Sequence, residues 1–232
     1  MTATRTTGAR ANQQALQRAI REYILDERLS SGVPMPPEQV LMERFGVSRH
    51  PLREAMKALE AVGIVDIRHG SGTFVGIGSL TALREGLEFR AALSLNGDLL
   101  AARELLQVRR LLESGLAGEV LARRDELDMP ALRSAVSRME RAAADGDYEA
   151  SADWTFHRLL YEPIGNGLIL ELLEVFWSVF HRLDDRLPQG SATPEVIAGW
   201  HADILAAIDA ADRDHMARAV AAHFDGISQR LG

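Results

Sequence analysis

Seven histidines occur in the chain, at positions 50, 69, 157, 181, 201, 215 and 223. In SADWTFHRLL, Asp153 and His157 lie four apart, which on a helix sets a carboxylate and an imidazole one above the other on one face. His201 opens WHADILAAI and His223 stands near the end of the last helical run, so two further imidazoles come from separate elements able to face that pair across a bundle core. Three imidazoles and one carboxylate make a nitrogen and oxygen ligand set for a divalent transition metal, Zn first and Ni, Mn or Fe as alternatives, with positions left for water or a ligand. The same spacing equally suits a polar interior of mutually hydrogen-bonded histidines.

A second constellation is cationic. Arg49, Arg53 and Lys57 recur at i, i+4 and i+8, while Leu52, Met56, Leu59 and Val62 form an apolar face. Guanidinium forks suit guanine or phosphate, and His50 lies in the first turn, where base edges are reached. By spacing alone, such a face equally suits a solvated surface helix.

The elements that must position these groups follow from pattern. Residues 1–10 read as a flexible, weakly basic arm, 12–28 as a helix, 37–45 as a short helix stopped at Gly46, and 48–62 as a helix with Ser48 as N-cap and Pro51 in its first turn. Runs 64–68 and 73–75, separated by His69-Gly70-Ser71-Gly72, read as a hairpin wing. Beyond Gly76 strand signals vanish, and helices are expected near 80–94, 99–124, 129–144, 148–162, 166–186, 194–210 and 213–230. The fold expected is mostly α: a winged helix-turn-helix over 1–76, a connecting helix and linker over 77–98, and an all-α antiparallel bundle over 99–232.

Composition narrows the function classes. The 232 residues are 47% apolar and 25% charged, ordinary globular values that argue against disorder and coiled coil. Cysteine is absent, so disulfides, thiolate ligands and cysteine nucleophiles are excluded. With no apolar stretch of about 18 residues and no apolar h-region at the start, a soluble, cytoplasmic protein is expected. The net charge of -7 is unevenly spread: residues 1–76 carry 10 Arg and Lys against 8 Asp and Glu, and the remainder carries 16 against 25. Only the first part suits a nucleic acid.

The stretch VSRHPLREAMKALEAVGIVDIRHGSGTFV resembles the winged helix of GntR-type transcription regulators, over about 65 residues with the Ser31-Gly32 and Met35-Pro36-Pro37-Glu38 segment ahead of it. The resemblance implies that Ser48, Arg49, His50 and Arg53 contact the operator and that the wing tip at His69 and Gly70 enters the minor groove. One position departs: Gln39 stands where the family commonly has Arg, a neutral amide able to pair with adenine. Residues 99–231 resemble the effector domain of the FadR-type branch, through VRRLLE at 108–113, DWTFH at 153–157, Asn166, His201 and His223. That resemblance implies Asp153, His157, His201 and His223 as metal ligands and Arg109 and Asn166 as effector contacts. Arg109 also has a bland reading, a surface ion pair with Glu113 at i+4. His181 and His215 fall outside the four-ligand pattern, and His181 is the better placed to line a pocket.

The expected function is a homodimeric, ligand-responsive transcription regulator on a palindromic operator, a repressor released by a small organic acid bound at the metal. Two rivals differ in class: a metal-dependent bundle enzyme of hydrolase type, and a regulator whose metal is only structural. No further carboxylate stands at a recognisable general-base spacing from the ligands.

Overall fold

In the computed structural model, residues 3–187, 190 and 192–232 are described, with residues 3–10 as backbone only. The chain divides into two compact units, Met1–Leu83 and Arg84–Gly232.

Helix α1 (Ala3–Asp26) begins earlier than expected, so residues 3–10 are its first turns and not an arm. No proline interrupts the segment, and once Leu16, Ile20 and Ile24 are anchored, each added residue gains one backbone bond. Those three side chains pack with Leu41 of α2 (Glu38–Phe45) and with Leu52, Ala55, Met56 and Leu59 of α3 (Arg49–Ala61). Gly46 ends α2 at φ +63°, and Val47 and Ser48 turn the chain into α3. Ser48 occupies the N-cap position in extended conformation, but its hydroxyl makes no capping bond. Strands β1 (Val65–Arg68) and β2 (Gly72–Val75) pair antiparallel with Val65 opposite Val75 and Arg68 opposite Gly72. Gly76 closes the wing where no side chain fits: a Cβ there would lie 2.0 Å from the Gly63 carbonyl oxygen.

The second unit begins at Arg84, within α4 (Thr81–Ser94), and its described elements are all helical: α5 (Leu100–Ala122), α6 (Met129–Ala144), α7 (Ala150–Tyr161), α8 (Gly167–Leu183), α9 (Pro194–Ala210), α10 (Arg213–His223) and α11 (Asp225–Leu231). Helix starts carry their own signals. Asp128 caps α6 by accepting from Ala131 N–H, with Pro130 in the first turn, and Asp212 caps α10 through His215 N–H. The helix expected over 213–230 is broken at Phe224, whose side chain is fully buried. Helix α6 packs on α7 and α9, α10 packs on α5 and α9, and the shared core holds Leu132, Phe156, Leu160, Val179, Met216 and Phe224. Among the described residues no helix is long and apolar enough to cross a membrane.

Candidate functional site

The core just described surrounds four polar side chains. Asp153 and His157 on α7, His201 on α9 and His223 at the end of α10 are all buried, at 5, 2, 0 and 8% exposure. Burial at that level demands partners, and the four supply one another. Asp153 Oδ1 lies 2.9 Å from His201 Nε2 and 3.9 Å from His157 Nε2. His223 Nε2 is 3.2 Å from His157 Nε2 and 3.1 Å from His201 Nε2. One ligand atom from each lies within 4.8 Å of all the others.

Proton positions follow from the other ring nitrogens. His201 Nδ1 is 2.8 Å from the Ile197 carbonyl oxygen, which only accepts, so Nδ1 carries the proton and Nε2 a lone pair. His157 Nδ1 lies 3.3 Å from Glu113 Oε2, outside hydrogen-bond geometry but near enough for the carboxylate to favour a proton on that nitrogen. His223 then sits between two acceptors with one Nε2 proton at most. Its Nδ1, like that of His157, is buried without a hydrogen-bond partner among the described residues. Converging lone pairs beside a carboxylate are the arrangement a divalent cation satisfies. The separations of 3.1 and 3.2 Å suit neighbouring nitrogens on an ion with bonds of about 2.0–2.2 Å. The cluster can therefore hold a metal.

A second layer holds the first. Trp177 Nε1–H donates to Asp153 Oδ2 at 2.7 Å. Glu113, 1% exposed, accepts from Arg109 Nε–H at 2.6 Å and from the Tyr161 hydroxyl at 3.0 Å. Burial alone would raise the Glu113 carboxyl, yet the Arg109 charge and His157 hold it well below the usual range. Asp153 is likewise held well down, against burial, by the adjacent imidazoles of His201 and His157. Burial, then His201 and His157, push His223 well below the ordinary histidine value.

These shifts share one sign for folding. A group with a depressed pKa takes up its proton in the unfolded chain first, so stability falls as pH falls through the unfolded value towards the folded one. For His223 that begins near pH 6.5, and for Asp153 and Glu113 near pH 4. Metal-free protein should lose about 1.4 kcal/mol per pH unit on the His223 limb. Urea unfolding from pH 7.5 to 5 checks this, and His223→Asn should flatten the limb.

A cavity of about 450 Å³ opens onto the cluster, lined by Arg109, Tyr148, Asp153, Trp177, His181 and His223 among others. His181 stacks on Trp177 with ring centres 4.9 Å apart, as its expected place at a pocket suggests. His215 pairs with Asp203 away from the cavity. Asn166 lies outside this cavity, and its side-chain oxygen caps α8 by accepting from Leu168 and Ile169 N–H. The Arg109–Glu113 pair does form, but in the interior and not on the helix surface, with Arg109 at 3% exposure. Sequence reasoning missed Trp177, Tyr148 and Tyr161, and took Glu113 only as a surface partner. The i+4 spacing of Arg109 and Glu113 inside VRRLLE was the available signal.

In the first unit, Arg49 and Arg53 project with side chains 66% exposed, and His50 and Ser48 are exposed beside them. Glu38 at the start of α2 lies 3.7 Å from Arg49 Nε and 4.0 Å from Arg53 Nε, a proximity sequence reasoning also missed. Gln39 is exposed and donates to Glu43 Oε1 at 2.8 Å. His69 and Gly70 form the exposed wing tip, where Gly70 takes φ +76°.

Comparison with known proteins agrees with both halves. Residues 12–75 match the family of bacterial regulatory proteins, gntR family, and residues 104–226 match the FCD domain. The chain is 34% identical over 150 residues to the HTH-type transcriptional regulator LutR of Bacillus subtilis (strain 168), covering 65% of this chain and 67% of that one. It is 28% identical over 220 residues to the HTH-type transcriptional repressor RspR of Escherichia coli (strain K12), covering 95% and 88%. In fold it is similar to the solved structure of Streptococcus agalactiae GntR, with a TM-score of 0.59, 24% identity, and 93% and 98% of the two chains covered. The chain belongs to the gntR family of bacterial regulatory proteins, its helical unit is an FCD domain, and it is a DNA-binding transcriptional regulator.

Proposed function

We propose that the protein is a homodimeric repressor released from a palindromic operator by a small organic acid, bound at a divalent metal in the helical unit. The observation that carries the reading is a single cavity reaching Arg109 together with Asp153 and His223, two of the four candidate ligands. Asp153, His157, His201 and His223 would hold the ion, Zn first, with Ni, Mn or Fe as alternatives. When bound, the ion supplies a Lewis-acid position for one carboxylate or α-hydroxyl oxygen. Arg109 contributes a guanidinium whose Nε is occupied by Glu113 while the side chain lines the cavity, ready for the remaining carboxylate oxygen. A tenfold change in operator affinity needs about 1.4 kcal/mol of differential effector binding, within reach of one charge-assisted contact. The relative named a repressor supports the sign of control.

On DNA, Ser48, Arg49, His50 and Arg53 would enter the major groove and His69 and Gly70 the minor groove. One such module reads few bases, and a dimer reads two half-sites. Arg53→Ala should weaken operator binding by about 1–3 kcal/mol in a titration at fixed salt. Gln39→Arg should tighten binding generally, steepen its salt dependence by about one contact, and change the sequence selected from random DNA. Metal analysis of the purified protein, then a thermal-shift screen of hydroxy, keto and sugar acids, tests the effector site. Protein free of metal that responds to its acid with full affinity overturns it.

A further inference from the structure

We infer that Glu113 is a positioning residue joining the effector-binding Arg109 to the ion site: it orients His157 with its Nε2 lone pair toward the ligand cluster and holds Arg109 by Nε at the cavity. The inference rests on the ion and acid reading above, and it concerns how the chain's own residues prepare both.

Glu113 divides its two oxygens. Oε1 accepts from Arg109 Nε at 2.6 Å, and Oε2 lies 3.0 Å from the Tyr161 hydroxyl and 3.3 Å from His157 Nδ1. Were it only the counter-ion of Arg109, the guanidinium fork would pair both oxygens. Instead one oxygen faces the effector side and the other the metal side, and the carboxylate is 1% exposed, so water does not replace either contact. A carboxylate only accepts, so although the 3.3 Å contact is outside hydrogen-bond geometry, it favours the proton on His157 Nδ1. That leaves Nε2, the atom 3.2 Å from His223 Nε2, free of a proton for an ion. Outer partners of this kind typically change metal affinity by about 10–100-fold.

Glu113→Gln makes a sharp prediction. Arg109 draws the amide oxygen toward itself, so the amide NH2 turns to His157 and donates to Nδ1. The His157 proton then moves to Nε2, into the ligand cluster. Side-chain ¹⁵N spectra of metal-free, full-length protein should show His157 as the Nδ1–H tautomer in the wild type and as Nε2–H in Glu113→Gln. Competition with a chromophoric chelator should show Zn and Ni binding about 10–100-fold weaker in the variant. Tyr161→Phe, which keeps the carboxylate, should retain the Nδ1–H tautomer and lose only a few-fold in affinity.

A purely structural role for Glu113 would lower the unfolding temperature while leaving tautomer and normalised metal affinity unchanged, and that result overturns the inference. If Glu113→Gln does not fold, the wild-type tautomer still decides, because Nε2–H there overturns it. Wild-type protein that binds neither Zn nor Ni yet holds His157 as Nδ1–H would sink the metal reading and still support the role of Glu113 on His157.

Discussion

Arg109→Ala should lower the free energy of unfolding by about 3–5 kcal/mol, a large part of the stability of an ordinary domain. Arg109 and Glu113 are 3% and 1% exposed and share a 2.6 Å bond, so removing the cation strands a carboxylate in the interior. The Tyr161 hydroxyl offers the carboxylate only a neutral donor in place of that cation. The loss also removes the guanidinium that lies 5.4 Å from the Phe224 ring centre. Pairing Arg109→Met with Glu113→Gln removes both charges and should recover most of the deficit. Urea unfolding of the single and paired variants measures this. A single-variant loss under about 1 kcal/mol would show that Glu113 is not held as a buried anion. Arg109→Lys, which keeps the charge and loses the fork, is the variant for effector binding.

His223→Ala and His157→Ala should each weaken metal binding by about 3 kcal/mol, more than a hundredfold, a quarter share of what a four-ligand protein site typically supplies. Both should lose the effector response together with the metal, because His223 lines the cavity and both Nε2 atoms belong to the cluster. Operator affinity without effector should stay within about twofold, since Arg49, Arg53 and the wing lie in the other unit. Metal titration, thermal shift with the acid, and operator titration on each protein check the three parts. A variant that loses metal but keeps full release by its acid would separate effector from ion.

The winged helix was legible from local rules. Gly46, Ser48 and Pro51 mark the turn, and Leu52, Met56 and Leu59 of the apolar face pack together with Ala55 while Val62 at the helix end stays exposed and Arg49 and Arg53 are left outside. The four candidate ligands were legible as residue types, and Asp153 with His157 as a spaced pair, but spacing alone left a metal site and a histidine-rich interior equally open. Asn166, carried over from the family resemblance, turned out to cap its own helix.

Sequence by itself determined most of the helices and which side chains share a face, because these depend on hydrogen bonds and side-chain neighbours within about four residues, though not the early start of α1 or the break at Phe224. Only the tertiary structure decided that the face carrying Arg109 and Glu113 turns inward, that Trp177 from α8 reaches Asp153 across 24 residues, and that His157 and His223, 66 apart in the chain, meet at 3.2 Å. Helical periodicity shows which residues are adjacent on one cylinder. Whether that side meets water or another helix is set by the packing of segments far apart in sequence, and there a pair that would be a solvated surface ion pair becomes the buried support of a ligand cluster.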